Sequence, residues 1–115
     1  MSNYFIKAIL LKDCSYSIAA YDLIKNHNIP NQITWVNQEE KQLYKTNDID
    51  TFPQIYLNKF NTKGNLLLGG YTDLNESVNN FKGQPINDSS INQFMEKYKW
   101  SKKSILRFIQ LINLV

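Results

Sequence analysis

Few residues in this 115-residue chain carry chemistry, and they are widely spaced. There is one cysteine, Cys14, and one histidine, His27. A lone thiol builds no internal disulfide framework, and with one histidine it completes no Cys/His metal site within a chain. It can act as a nucleophile, because a thiolate attacks disulfide sulfur. Cys14 stands where an apolar run ends and a helical period begins. A helix N-terminus offers free N–H groups and partial positive charge, and both stabilise a thiolate. The alternative is a buried, inert thiol, since free cysteine is among the most buried residue types. Two further segments stand out. In Thr51-Phe52-Pro53, the proline removes an N–H and holds the chain in one direction. In Gly69-Gly70-Tyr71-Thr72-Asp73, the glycines permit close backbone approach. Thr72 and Asp73 open a helix, where free N–H groups can take a carboxylate. The Asp73 carboxylate can pair with a substrate ammonium, or serve only as a helix cap. His27 lies near a helix end and reads as a C-terminal helix residue rather than a base.

The elements that position these residues follow from the apolar pattern. Tyr4 to Leu11 is short and apolar and fits a buried strand. From Ser15 to about His27, Ile18, Ala19, Leu23 and Ile24 recur at helical spacing, and Asn26, Asn28 and Pro30 end the run. Ile33 to Val36 is a second strand, and Gln38 to Tyr44 is polar and helix-compatible. Thr46 to Asp50 is a loop. Gln54 to Leu57 is a third strand entered through Pro53, a position where no ladder donor is needed. Asn58 to Gly64 is a hairpin-length turn, Leu66 to Leu68 a fourth strand, and Tyr71 to Phe81 a helix. Strand–helix–strand makes a parallel pair and strand–turn–strand an antiparallel one. The β-α-β-α-β-β-α order therefore predicts a small mixed sheet with helices on both faces, in the α/β class. Ser90 to Gln93 has capping-box form ahead of Phe94, Met95 and Tyr98. Ser101 to Val115 places Ile105, Phe108, Ile109 and Ile112 on one helical face.

Cys14-Ser15-Tyr16-Ser17 resembles the glutaredoxin active site, a Cys-Pro-Tyr-Cys motif at the first strand–helix junction with Cys-x-Tyr-Ser variants. Thr51-Phe52-Pro53 resembles that family's Thr-Val-Pro, and Gly69 to Asp73 its Gly-Gly-x-x-Asp. The three fall in the family's order, and the likeness covers roughly residues 3 to 83. It implies a thioredoxin-like fold, a four-stranded mixed sheet flanked by helices; the helical patterns after it make residues 84–115 a C-terminal helical extension expected to pack on the same domain. It also implies glutathione as co-substrate. Cys14 would be the nucleophile, and Lys12, Tyr16, Thr51, Phe52, Pro53, Gly70, Thr72 and Asp73 would form the glutathione site. Pro53 would be cis, and the extended Phe52 backbone would pair with glutathione as a strand does. With Ser17 in place of a second cysteine, the implied activity is monothiol: removal of glutathione from protein mixed disulfides.

This sequence departs from the pattern at several positions. The family usually has lysine three residues before the cysteine, and here that residue is Leu11, with Lys12 one step closer. Asp13 abuts Cys14, and negative charge beside a thiol disfavours the thiolate. Asp50 stands where a basic residue often precedes Thr-Val-Pro; Lys41, Gln42 or Lys45 is a candidate for the missing contact. An alternative is a [2Fe–2S] cluster bridging two chains, with one cysteine and one glutathione from each supplying four thiolates. A redox-inactive adaptor is another, whose basic-then-apolar tail from Ser101 to Val115 forms a dimer face, docks a partner or lies on a membrane surface, the plain alternative being that it packs on its own domain. Composition sets the remaining bounds. The chain is 43% hydrophobic and 20% charged, which suits a folded globular domain. A net charge of +3 does not demand a polyanion, and no nucleic-acid partner is expected. No apolar stretch reaches the roughly 18 residues of a membrane span. No secretory signal pattern appears, so the expectation is a cytoplasmic monomer or weak homodimer acting on glutathionylated client proteins.

Overall fold

The computed structural model describes residues 3–114. Its sheet is built on β1 (Tyr4–Leu11), which lies between β2 (Asn31–Val36) and β3 (Gln54–Lys59), with β4 (Asn65–Gly69) outside β3. β1 and β2 run parallel, joined through α1 (Ser15–Asn26); β3 and β4 form antiparallel pairs with β1 and with each other. The fold is therefore α/β with a four-stranded mixed sheet, as expected, and it is compatible with a thioredoxin-like arrangement. β1 is apolar apart from Lys7 because it is central in the sheet. Ile6, Ala8 and Leu10 face one layer, while Phe5 and Ile9 face the other.

The helical layer lies on the Ile6–Ala8–Leu10 face. Ala20 and Ile24 of α1, Leu74 and Val78 of α2 (Tyr71–Phe81), Ile91 and Phe94 of α3 (Asp88–Tyr98), and Ile105, Phe108 and Ile112 of α4 (Lys102–Ile112) join Ile55 and Leu57 in one apolar core. The apolar half of the last helix, Ile105, Phe108, Ile109, Leu111 and Ile112, is thus buried inside its own domain. Polar bonds seal the same junction. Lys82 Nζ donates to the Ile112 carbonyl at 3.0 Å, and Asn113 bridges Gly83 N–H and the Phe81 carbonyl. At the α3–α4 corner, Lys99 takes a left-handed conformation (φ 59°) and Trp100 Nε1 donates to the Leu67 carbonyl of β4 at 3.1 Å.

Three expectations are corrected. The predicted helix over Gln38 to Tyr44 is a single 3-10 turn, Lys41–Tyr44. Asn37 and Glu40 cap each other reciprocally, but Leu43 is 81% exposed, so almost no apolar face rewards propagating the helix. The turn is pinned by Gln54 Nε2 donating to the Tyr44 carbonyl. The capping motif at Ser90 is not the start of α3. Asn87 is the N-cap, its Oδ1 accepting Ser90 N–H, so the helix begins one turn earlier. α4 begins after its cap Ser101 and ends at Ile112; Val115, included in the predicted helix, lies outside the described residues.

Candidate functional site

Cys14 is the N-cap of α1, in extended conformation and half-buried, with no side-chain capping bond. Its own N–H donates to the Leu11 carbonyl, and its carbonyl accepts from Ile18 N–H to start the helix. The strand reaches the helix through a sharp corner. Asp13 adopts φ 63°, a left-handed conformation that aspartate tolerates better than most residues. Lys12 N–H donates to the Val36 carbonyl at 2.8 Å, tying the corner to the end of β2. Ser17 is fully buried, and its Oγ accepts Leu11 N–H at 3.0 Å. The serine that stands where the motif has its second cysteine therefore braces the corner from which Cys14 projects.

The other two segments close on this corner. The Phe52–Pro53 peptide is cis, as the resemblance implied. Thr51 is exposed, Phe52 half-buried and Pro53 buried at the mouth of β3. Register sets that mouth beside the end of β1, since Ile9 pairs with Gln54. Gly70, the N-cap of α2, approaches the same proline: a Cβ placed on Gly70 would lie 3.7 Å from the Pro53 carbonyl oxygen. Tyr16, 62% exposed, has its ring centroid 6.3 Å from that of Tyr71. The Cys14 segment thus touches the Gly-Gly segment, which in turn touches the proline segment. Lys12 and Thr72 are exposed beside this surface's own segments, in the β1–α1 corner and the first turn of α2.

Asp73 holds the α2 end of the site together. Its Oδ2 accepts Gly70 N–H at 3.0 Å, and its Oδ1 accepts the Tyr98 hydroxyl at 2.6 Å. The capping role is therefore realised. Two accepted bonds leave a carboxylate further lone-pair capacity for an incoming ammonium. Gly69 has φ 133°, and a Cβ there would overlap the Asp73 carboxylate, so only glycine fits. Tyr98, from α3, is a site neighbour that sequence reasoning missed. It lies 25 residues from Asp73, and no local pattern announces the pair. Burial first, then the hydrogen bond and the charges of Asp73 and Glu76, push its phenol above the ordinary tyrosine range.

Of the candidates for the missing contact, Lys41 and Lys45 are half-buried around the 3-10 turn, and Gln42 is exposed. Among the described residues, no group of three or more His, Cys, Asp or Glu side chains gathers to hold a metal ion. One thiolate per chain leaves the other ligands of any iron–sulfur cluster to come from outside the chain. No helix is long and apolar enough to cross a membrane among the described residues. Comparison of the chain with protein-family models, with curated proteins and with solved structures finds no match.

Proposed function

We propose that this protein is a glutathione-dependent monothiol thiol–disulfide oxidoreductase of the glutaredoxin kind, acting on glutathionylated proteins of the cytoplasm. The observation that carries the reading is the meeting of three sequence-distant segments, one of them that of the half-buried Cys14: Tyr16 against Tyr71, and Gly70 against Pro53. Each segment alone is an ordinary turn, strand entry or helix start. Their convergence on the sole cysteine supports a built site.

The chemistry needs two exchanges. The Cys14 thiolate attacks the glutathione sulfur of a protein–S–S–glutathione bond. A Cys14–glutathione disulfide forms and the protein thiolate leaves with the bond's electron pair. A second glutathione, as thiolate, then attacks the glutathione sulfur on Cys14. Oxidised glutathione departs and the Cys14 thiolate is regenerated. The client is reduced, two glutathione units are joined, and glutathione is the reductant. Phe52 backbone groups pair with the tripeptide as an added strand. The first turn of α2, with Thr72 and Asp73, receives its γ-glutamyl end. Tyr16 flanks the sulfur, and Lys12 supplies positive charge at the corner. Ser17 is held by Leu11 N–H and offers no second sulfur, so no internal disulfide competes with this cycle.

The test is turnover of a glutathionylated peptide with glutathione as reductant, beside Cys14→Ser. Turnover that disappears in the variant is the expected result. Folded wild-type protein that neither turns over nor forms a mixed disulfide with oxidised glutathione would refute the proposal.

A further inference from the structure

The second face of the sheet, away from the helical layer and at the opposite end from Cys14, carries a cavity of about 430 Å³. That volume is within the range of small-ligand sites. Strand register assembles its wall. Phe5 pairs with Asn58, and Gln32 lies across from Lys7, so Phe5, Gln32 and Asn58 point to this face together. Phe60, 54% exposed, stands beside Phe5 with ring centroids 4.6 Å apart. Asn31, Lys59 and Thr62 complete the rim.

Asn58 is the anomaly. It is only 8% exposed, yet its Oδ1 is buried with no hydrogen-bond partner among the described residues. The other deeply buried carboxamide on the same face behaves as expected. Gln54 donates to the Tyr44 carbonyl and accepts from the Tyr56 hydroxyl. Buried polar groups are nearly always paired, and a lone exception asks for a partner. The last torsion of an asparagine is soft, and a rotation about it would bring Oδ1 into the cavity that Asn58 lines.

We propose that this cavity binds an adenine nucleotide, free or at the end of a single strand. A carboxamide presents a donor and an acceptor side by side, which matches the N6 and N7 edge of adenine. An exposed phenylalanine offers the face on which a base stacks. The phosphate has a place at the rim, where Lys59 lines the cavity and no described acidic residue does. The base lies against Phe60 and Asn58, with its phosphate beside Lys59. This inference is independent of Cys14.

The test is an amide-shift titration of the ¹⁵N-labelled full chain with AMP, with ribose 5-phosphate and with a short oligoadenylate. Phe60→Ala and Asn58→Ala follow, with circular dichroism to show that each is folded; Phe60 is exposed, so its variant keeps the core intact. Saturable AMP shifts at Phe5, Asn58 and Phe60, weakened about tenfold or more by each substitution, support the site. Ribose 5-phosphate binds at least about tenfold more weakly if the base is read. Oligoadenylate binding tighter than AMP and falling with salt identifies a strand end as the source; binding no tighter than AMP identifies the free nucleotide. No saturable shift with AMP or oligoadenylate up to about ten millimolar overturns the proposal. So does AMP binding that Phe60→Ala leaves unchanged, or that ribose 5-phosphate equals.

Discussion

At the residue scale, the corner around Cys14 depends on side chains whose roles are set by backbone groups. Ser17 gives Leu11 N–H its partner inside a buried turn. Ser17→Ala leaves that donor unsatisfied and is expected to cost about 1–3 kcal/mol, read from urea unfolding. Gly69 and Gly64 form a paired test. Gly69 combines a positive φ with a Cβ position already filled by Asp73, whereas around Gly64 nothing lies within 4 Å. Gly69→Ala is expected to destabilise by about 1–3 kcal/mol or more, and Gly64→Ala to be neutral or slightly stabilising. Equal effects of the two would remove Gly69's special standing. These roles were only partly legible in advance. Cys14, the proline segment and the Gly-Gly segment are contiguous in the chain and announce themselves by type. The bond from Leu11 N–H to Ser17 links two elements, and residue type alone does not disclose it.

At the element scale, α3 does more than fill space, because Tyr98 reaches from its C-terminal turn to Asp73 at the start of α2. The phenol is pushed above its ordinary value of 10.0 by burial and by the neighbouring carboxylates. A raised value means that the folded state holds the proton longer than the unfolded chain does. The contribution is fully present below about pH 10 and is lost as pH rises toward the folded value. Tyr98→Phe is therefore expected to lower stability at neutral pH, with the gap from wild type narrowing above about pH 10. Denaturant unfolding of both proteins across that range checks it; a gap that stays constant would separate Tyr98 from Asp73. The elements themselves were largely readable where periodicity was strong. β1, α1, α2 and α4 lie close to their apolar patterns. The segment from Gln38 to Tyr44 was compatible with helix by composition, but it had no core to pack against. The start of α3 slipped by a turn because Asn87 and Ser90 are both good caps, and in the fold it is the Asn87 side chain that accepts a helix N–H, that of Ser90.

At the scale of the molecule, residues 84–115 complete the core instead of decorating it. Ile91, Phe94, Trp100, Ile105, Phe108 and Ile112 belong to the same apolar cluster as β1 and β3. A chain ending at Gly83 is expected to lose cooperative unfolding and to expose the helical face of its sheet, seen as a lost thermal transition and collapsed amide dispersion. A stable, well-dispersed 1–83 fragment would make the extension a separate module. The sequence by itself determined the class of fold, the order of the strands along the chain and the one residue that carries a thiol, because these depend on local periodicity and residue type. Tertiary structure alone decided that the last two helices share the helical face, that Tyr98 meets Asp73, and that Asn58 is buried without a partner. Such facts depend on which distant surfaces exclude water from one another, and no local pattern along the chain encodes that pairing.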